Sequence, residues 1–503
     1  QAGAEVGGRH RTHGRGSGEP SPGRRGRAAG ASSGRSPALH AVRKGVERFD
    51  VFVIGGGGTG SEVAFQLARR SDLRVAIAER DELGGECNHY GCVPTKAMLR
   101  SARVAAMARD AGRFGVRTPG VEVDLAAVRE RVRRVIDAQS GEGPAPFERM
   151  GVRVFLQEAR LVGPHRIELA DGTQVEAARI VLATGTEPVI PPVPGLRELP
   201  VWTNREAVWE PVRVPGSLPI LGAGAIGAEF AQLYARFGSR VTLVELLPQV
   251  LPSEDADAAG ELTRALEEEG VRVEVGARVE RVGRDEGGGF VLSLAGGGEV
   301  RAERLLVATG RRPAFDGHDL AAAGVELDAA GRPVLTDTLR TTAPHIWVAG
   351  DATGELLFTH VGSYEAELVA LDILGTPRPR DYRVVPRVTF TDPEVASVGL
   401  TEAAARAAGH EVAAATARIE DNERAHIDGR SRGLVKLVAD RSTGELLGGH
   451  IVAEEAGAMI HEVVVAMAGR LPVRVLADAI HAYPTLSESV RWAAIQLAEA
   501  LEA

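Results

Sequence analysis

The strongest constraint on the fold is a strand–glycine–helix–strand unit that occurs twice in the chain. The first copy is "FDVFVIGGGGTGSEVAFQLARR" at residues 49–70, and the second is "SLPILGAGAIGAEFAQLYARFGSRVTLVE" at residues 217–245. Each copy has a short apolar run, then glycines at G-x-G-x-x-G spacing, then an apolar pattern of helical period. The glycines are Gly55, Gly57 and Gly60 in the first copy and Gly222, Gly224 and Gly227 in the second. The repeat predicts two α/β units of the Rossmann type.

Both units also carry the other features of a dinucleotide site. The next strand of each unit ends in an acid, Glu79 in the first and Glu245 in the second. Glycines let the backbone approach a pyrophosphate, the helix start supplies N–H donors, and the acid accepts hydrogen bonds from ribose hydroxyls. The alternative is that the glycines form tight turns that bind no ligand. Two complete copies of the motif favour dinucleotide sites over this alternative. Two such sites predict electron transfer between FAD and a nicotinamide dinucleotide.

The residues after Glu245 bear on which nicotinamide is used. A carboxylate at this position binds a free 2′-hydroxyl and repels a 2′-phosphate. Leu246 and Leu247 follow, and no arginine cluster is present to neutralise a phosphate. The sequence therefore favours NAD(H) over NADP(H).

Composition limits the other possibilities. The chain has 503 residues and a net charge of −9, so we expect several domains and no nucleic-acid partner. No apolar run is long enough to span a membrane. Residues 1–47 are rich in Gly, Arg, Ser and Pro, which predicts a disordered tail. No signal peptide is recognisable, and we expect a cytoplasmic protein.

Cys87 and Cys92 are the only cysteines, and both lie in "GGECNHYGCVPTK" at residues 84–96. In this context a close pair is typical of a catalytic or metal-binding site. Zinc is less favoured because no second cysteine pair completes a ligand set. A regular helix would separate the two residues by about 7.5 Å along its axis, which is too far for a usual disulfide. A bond between them therefore predicts an interrupted helix. Lys96 adds a cation that can stabilise a thiolate or a reduced flavin.

With these motifs, the chain resembles the class I pyridine nucleotide-disulfide oxidoreductases, such as dihydrolipoamide dehydrogenase, glutathione reductase and mercuric reductase. Further motifs that carry the resemblance are "VLATGTEP", "VATGRRP", "VAGDATG", "TDPEVASVGLTE" and "HAYPTLSE". It implies an α/β fold with two Rossmann-like domains and a C-terminal α+β dimerisation domain, working as a homodimer. The implied segments are 48–188 and 310–379 for FAD and the centre, 189–309 for the nicotinamide dinucleotide, and 380–503 for dimerisation.

The resemblance also implies roles for single residues. Cys92 is then the thiol next to the flavin, Cys87 is the thiol that meets the substrate, and Lys96 and Glu229 form an ion pair beside the flavin. The implied FAD contacts are Gly55, Gly57, Gly60, Glu79, Thr184, Gly185 and Asp351. The implied nicotinamide dinucleotide contacts are Gly222, Gly224, Gly227, Glu245 and Gly310. No resident metal is expected.

The C-terminal motif departs from the family. Members that reduce disulfides have a histidine immediately before the proline as acid–base group, and this chain has Tyr483 there. His481 lies two residues earlier, and Glu488, the usual orienting acid, is kept. Tyrosine is a weak base at neutral pH. Two hypotheses therefore stay open: electrons pass through the dithiol to a disulfide or related acceptor, or they leave the flavin directly as in a diaphorase, transhydrogenase or metal reductase.

Overall fold

The computed structural model describes residues 46–502. The strands in this range are β1 (Glu47–Ile54), β2 (Val75–Glu79), β3 (Arg153–Leu156), β4 (Ala159–Gly163), β5 (Arg166–Leu169), β6 (Gln174–Leu182), β7 (Thr186–Pro188), β8 (Ser217–Leu221), β9 (Arg240–Val244), β10 (Arg272–Glu274), β11 (Val279–Arg284), β12 (Phe290–Leu294), β13 (Gly298–Ala302), β14 (Leu306–Val307), β15 (Arg311–Pro313), β16 (Ile346–Val348), β17 (Arg387–Thr389), β18 (Glu394–Gly399), β19 (Val412–Arg418), β20 (Leu434–Asp440) and β21 (Leu446–Ala453).

The α-helices in the same range are α1 (Gly58–Arg70), α2 (Gly85–His89), α3 (Cys92–Asp110), α4 (Leu125–Ser140), α5 (Ala145–Arg149), α6 (Asn204–Trp209), α7 (Ala225–Phe237), α8 (Ala256–Glu268), α9 (Thr359–Ile373), α10 (Glu402–Ala407), α11 (Glu423–Ile427), α12 (Ala456–Ala468), α13 (Val473–Asp478) and α14 (Glu488–Glu502). Short 3-10 turns cover Ala111–Phe114, Gly350–Thr353 and Ile419–Asp421.

The first sheet brings together the carboxyl ends of five parallel strands, β3, β2, β1, β6 and β16. Its order is β3-β2-β1-β6-β5-β4, with β16 paired to β6, and β1 runs parallel to both β2 and β6. Alternate residues of β1 face opposite sides of the sheet. Val51 and Val53 pack in a cluster with α1 and α9, whereas Phe52 and Ile54 pack in the cluster on the other face. The loops that follow these strands therefore meet at one edge, where open α/β sheets bind ligands.

Helix α1 begins directly at the first glycine loop because Gly57 is its N-cap residue. Val63, Ala64 and Leu67 repeat at helical spacing and are fully buried against the sheet. Burying a side chain such as Leu67 stabilises the fold by about 1.5–3 kcal/mol. The same residues that predict the helix therefore fix its start over the edge of the sheet.

The second sheet repeats this arrangement. Its order is β10-β9-β8-β14, and all of its strands are parallel. Gly222 follows β8, Glu245 follows β9, and Gly310 comes three residues after β14. The duplicated motif of the sequence is thus a duplicated structure.

The remaining sheets complete the described part of the chain. Strands β11-β12-β13 form a three-stranded antiparallel sheet, and β7 pairs antiparallel with β15. The C-terminal part has a five-stranded antiparallel sheet of order β17-β18-β21-β20-β19, with residues of α12, α13 and α14 in its core cluster.

The predicted fold class is confirmed: two Rossmann-like units are followed by an α+β domain. The domain limits proposed from the sequence stay a prediction. The predicted tail at residues 1–47 lies, except for its last two residues, outside the described residues.

Candidate active site

The first glycine loop combines two closely packed glycines with one open glycine. A Cβ atom added to Gly55, whose φ is +104°, would lie 2.2 Å from the carbonyl oxygen of Ala183. One added to Gly60 would lie 1.9 Å from the carbonyl oxygen of Gly55. At Gly57 it would meet no atom of the described residues within 4 Å. The first and third glycines are thus required by internal packing, and the second faces space that suits a pyrophosphate.

The second glycine loop has the same arrangement. A Cβ on Gly222, whose φ is +96°, would lie 2.5 Å from the carbonyl oxygen of Ala308, and one on Gly227 would lie 1.9 Å from that of Gly222. Around Gly224 no atom in the described part of the chain comes within 4 Å of such a Cβ. Both loops therefore have the shape expected for a dinucleotide cradle.

The two acids are held by their own glycine loops. One carboxylate oxygen of Glu79 accepts a hydrogen bond from the backbone N–H of Gly56 at 2.7 Å, and Glu245 accepts from Ala223 at 2.7 Å. In each case the other oxygen accepts from the N–H two residues further along the chain, at 2.8 and 2.9 Å. Both side chains are buried. Each fixed carboxylate keeps lone pairs that can accept from a ribose.

An open cleft of about 1220 Å³, including its mouth, runs along the edge of the first sheet. The predicted residues that line it are Gly55, Gly57, Glu79, Cys87, Thr184, Gly185 and Asp351. The hydroxyl of Thr184 is buried and has no hydrogen-bond partner among residues 46–502, so a polar group of a ligand would satisfy it. Burial raises the pKa of Asp351, and the nearby Arg311 opposes this shift. The open glycine, the fixed acid and the unpaired hydroxyl fit a flavin dinucleotide.

The cysteine pair lies on an interrupted helix at one end of this cleft. Helix α2 ends at His89 and α3 begins at Cys92, so the interruption predicted from the spacing is present. Both thiols are free in the structure. The hydroxyl of Thr359 lies 3.1 Å from the sulfur of Cys87 and 3.5 Å from that of Cys92. Three reactive or polar groups therefore meet within hydrogen-bond distance.

The two thiols differ in acidity. The hydrogen bond from Cys87 lowers the pKa of Cys92 to about 6 against the effect of burial, and Thr359 and Lys96 lower it further. The same hydrogen bond and burial raise the pKa of Cys87. These opposite directions favour the thiolate on Cys92 and the protonated thiol on Cys87.

Lys96 and Glu229 form the predicted ion pair, with Nζ 2.8 Å from Oε2. Removal from water is the largest single effect on Lys96 and lowers its pKa, but Glu229 and the two cysteines together raise the pKa of the ammonium overall. The other oxygen of Glu229 accepts from the backbone N–H of Phe390 at 2.9 Å, and the Phe390 ring lies 4.9 Å from Nζ. The ammonium is thus fixed one helical turn after Cys92.

The three C-terminal candidates do not line the cleft of their own chain. The side chain of Tyr483 is 71% exposed. The Nε2 atom of His481 lies 2.8 Å from a carboxylate oxygen of Glu462, and Glu488 accepts from the backbone N–H of Thr485 at 3.2 Å. Within one chain these groups are therefore separate from the dithiol.

Helix α6 also holds residues 86–90, the segment around Cys87, a contact that the sequence patterns did not predict. Arg205 donates from Nε and Nη2 to one carboxylate oxygen of Glu86, at 2.8 and 2.5 Å. Its guanidinium lies 4.1 Å from the centre of the Tyr90 ring. Asn204 donates to Glu86 at 2.8 Å and to the Tyr90 carbonyl at 2.9 Å. Trp209 donates to the carbonyl of the last residue of α2 at 2.9 Å. We call this group the α6 clamp.

Sequence reasoning also missed Thr359, whereas Glu365 stood out only because it follows the Asp351 motif in the chain. Glu365 is fully buried, accepts from the backbone N–H of Gly350 at 2.5 Å, and so holds the turn that carries Asp351. Burial raises the pKa of Glu365 to about 7. The Thr359 hydroxyl at the start of α9 gave no spacing signal, because its two cysteine partners lie 267 and 272 positions away in the sequence.

Among residues 46–502 there is neither a membrane-spanning helix nor a cluster of metal ligands. No helix within residues 46–502 combines the length and the apolar character needed to cross a membrane. In the same range no three or more His, Cys, Asp or Glu side chains are grouped so that they could hold a metal ion.

The chain matches known families over most of its length. Residues 49–366 match the pyridine nucleotide-disulphide oxidoreductase family, and residues 385–494 match the dimerisation domain of that family. A dihydrolipoyl dehydrogenase of Chlorobaculum tepidum is 39% identical over 90% of this chain and 98% of its own length. A mercuric reductase of Streptomyces lividans is 36% identical over 89% of this chain and 95% of its own length.

Solved structures of flavoprotein disulfide reductases also superpose on this chain. The HOCl-induced flavoprotein disulfide reductase RclA from Escherichia coli superposes with a TM-score of 0.80 at 30% identity, covering 89% of this chain and 99% of RclA. Its Cu(II) complex superposes with a TM-score of 0.81 at 29% identity, covering 90% of this chain and all of that one. The match to the dimerisation domain supports a homodimer. The chain therefore belongs to the pyridine nucleotide-disulphide oxidoreductase family and is an FAD-dependent flavoprotein disulfide oxidoreductase that uses a nicotinamide dinucleotide.

Proposed function

We propose that this enzyme passes electrons from NADH through FAD to the Cys87–Cys92 pair, and from there to a small-molecule disulfide or a related acceptor. The single observation that carries the proposal is the free cysteine pair beside the dinucleotide cleft, with Cys87 on its lining. Cys87 and Cys92 are the only cysteines of the chain, so it has no further cysteines for a structural disulfide framework. The lack of such a framework suits a cytoplasmic enzyme, because secreted proteins are the usual carriers of structural disulfides.

The chain's own residues divide the work of holding the cofactors. FAD, when bound, accepts hydride equivalents from the nicotinamide and passes on two electrons. The first unit holds it through Gly55, Gly57, Gly60, Glu79, Thr184, Gly185 and Asp351. The second unit holds the nicotinamide dinucleotide through Gly222, Gly224, Gly227, Glu245 and Gly310. Each glycine loop has two closely packed glycines and one open glycine, which supports one dinucleotide in each unit.

The preference for NADH follows from Glu245. Its carboxylate is buried and fixed by two backbone N–H groups, so it cannot turn away from a 2′-phosphate. The next side chains, Leu246 and Leu247, are exposed and apolar. Within residues 46–502 Glu245 has no salt-bridge partner, so its charge stays available to repel a phosphate.

The two thiols have different roles. Cys92 holds the thiolate next to the flavin, supported by its pKa of about 6 and by Lys96 one turn away. Cys87 carries the proton and meets the acceptor. Glu229 fixes Lys96, so the cation stays beside the site of negative charge.

The acceptor side is completed by the C-terminal segment of a second subunit. Tyr483 is exposed in the single chain, whereas His481 is already paired with Glu462. Tyr483 is therefore the group of this segment that is free to reach a neighbouring site, with Glu488 at the start of α14 close behind it in the chain. A tyrosine there suits an acceptor that needs little proton transfer at neutral pH.

Anaerobic titration with NADH tests the proposal. We expect a long-wavelength charge-transfer band after two electrons per flavin, because the thiolate of Cys92 then lies beside oxidised flavin. Cys92→Ser should abolish the band and Cys87→Ser should keep it. Direct reduction of the flavin in the wild-type protein, with no such band, would contradict a dithiol path.

A metal ion as electron acceptor is the second candidate. It is favoured by the likeness to mercuric reductases and to RclA, which has been solved as a Cu(II) complex. A soft cation would meet the two sulfurs as substrate, since thiolates select such metals. Rapid NADH-dependent reduction of Hg(II) or Cu(II), together with slow reduction of small disulfides, would favour this candidate.

A further inference from the structure

The hydroxyl of Thr359 bridges the two sulfurs of the active site. It donates to the sulfur of Cys87 at 3.1 Å and lies 3.5 Å from that of Cys92. Among residues 46–502 the two sulfurs are its hydrogen-bond partners. Serine and threonine hydroxyls in helices can bond to a carbonyl of the preceding turn, as Ser363 on the same helix does to the Thr359 carbonyl at 3.2 Å. As the first residue of α9, Thr359 has no such turn before it.

The position of this hydroxyl is fixed by the packing of α9 on α1. The methyl group of Thr359 points toward α1, where it lies 3.9 Å from the place that a Cβ on Gly58 would take. Three residues on, a Cβ on Gly362 would lie 2.2 Å from the hydroxyl oxygen of Thr59, so the two helices touch closely. With its methyl group against α1, the side chain keeps its hydroxyl on the sulfurs.

The chemistry of the pair moves negative charge between the same two atoms. Two electrons from the enzyme's own reductive half-reaction break the sulfur–sulfur bond and give two thiolates, one of which takes up a proton. In the second half, the Cys87 sulfur loses that proton and attacks an acceptor disulfide, which releases one acceptor thiolate. The Cys92 thiolate then displaces the second acceptor thiolate and re-forms the Cys87–Cys92 bond.

We propose that Thr359 is a catalytic residue of this cycle, whose hydroxyl donates to whichever sulfur carries the charge. One hydroxyl has one proton, so it serves the two sulfurs in turn: Cys92 in the resting dithiol, and Cys87 while it attacks the acceptor. The shorter distance is to Cys87, the thiol that meets the acceptor. Thr359 is also at the N-terminal end of α9, and the positive end of the helix dipole stabilises negative charge on a nearby sulfur. This inference rests on the proposed dithiol path.

The test compares Thr359→Val, which keeps the shape and removes the hydroxyl, with Thr359→Ser, which keeps the hydroxyl. The reduced holoenzyme is alkylated with iodoacetamide over a range of pH, and peptide mass mapping assigns each modification to Cys87 or Cys92. A hydrogen bond to the charged form lowers a pKa. We therefore expect the Cys92 midpoint to rise by about one pH unit in Thr359→Val and to stay near the wild-type value in Thr359→Ser.

Reduction of a small disulfide provides a second measurement. In Thr359→Val we expect its rate to fall about ten-fold, with NADH-dependent flavin reduction unchanged. Thr376→Val is the matched control, because Thr376 lies just beyond the other end of α9 and bonds a carbonyl at 3.3 Å. Thr359→Ala is measured in parallel in case the valine variant fails to fold.

An unchanged Cys92 midpoint in the valine or alanine variant would overturn the role of Thr359, and so would an equal shift in Thr376→Val. The proposed function fails separately, if Cys87→Ser reduces the acceptor as fast as the wild type. The alkylation midpoints need no electron acceptor, so they decide the role of the hydroxyl in either case.

Discussion

At the scale of single residues, Glu245 and Glu79 occupy equivalent positions in the two Rossmann-like units, so a substitution of one is a control for the same substitution of the other. Glu245 should select NADH because a fixed carboxylate meets a 2′-phosphate at a cost of a few kcal/mol. We expect kcat/KM for NADH to exceed that for NADPH at least about ten-fold, and Glu245→Gln to narrow this ratio. Glu79→Gln should weaken FAD retention and leave the ratio unchanged. A wild-type enzyme that prefers NADPH would show the assignment to be wrong.

Tyr483 allows a gain-of-function test. Replacing it with the histidine of other family members should restore a general acid–base group beside the dithiol of the neighbouring subunit. General acid–base groups contribute about 100-fold or more, so at least a ten-fold gain with dihydrolipoamide at neutral pH is expected in Tyr483→His. His481→Ala is the comparison. If the native enzyme is already fast with this substrate and His481→Ala abolishes the activity, His481 is the base and our assignment of Tyr483 fails.

At the scale of secondary-structure elements, the α6 clamp should keep the turn between the cysteines in one conformation. Arg205→Gln removes the ion pair with Glu86 and the contact with the Tyr90 ring. Because the guanidinium is partly exposed, these interactions stabilise the closed turn by about 1 kcal/mol. Opening of the turn should rise about five-fold, and so should the rate of Cys87 alkylation. Arg213→Gln breaks a similar exposed pair with Glu303 and should have no effect. Equal alkylation rates in both variants would mean that α6 does not hold the turn.

The same element shows why sequence analysis succeeded in some places and failed in others. Each glycine loop and its acid lie within about thirty residues of chain, and the chemistry of a pyrophosphate and a ribose requires those residue types. The α6 clamp joins residues more than a hundred positions apart, and Thr359 contacts a cysteine 267 positions away. Contacts of this kind depend on how helices pack on sheets, which local periodicity does not encode.

At the scale of the whole molecule, the C-terminal domain predicts that activity depends on a second subunit. Ile480, next to the candidate acid–base segment, is 99% exposed, and Val465 on α12 is 65% exposed. Exposed apolar side chains in a dimerisation domain mark its contact surface. Ile480→Asp should weaken the dimer at least ten-fold in sedimentation and reduce disulfide turnover in parallel.

Val212→Asp is the matched control for dimer formation, since Val212 is equally apolar and 89% exposed in the second unit. It should leave both the sedimentation and the turnover unchanged. A monomer of Ile480→Asp with full turnover would show that each chain completes its own site, and the role given to Tyr483 would then have to be abandoned.

The short ribbon of β7 and β15 has a consequence for how such a chain could arise and be rebuilt. Pro188 pairs with Arg311, and the N–H of Val189 donates to the Gly310 carbonyl at 2.9 Å. The polypeptide therefore departs from the first sheet and returns to it at the same point. Residues 189–310 therefore form an inserted segment, here called a cassette, whose two ends are in contact. Folds tolerate domain insertion and circular permutation best where the chain ends are this close. A homologous cassette with another coenzyme preference could be exchanged here without cutting a strand of the first sheet.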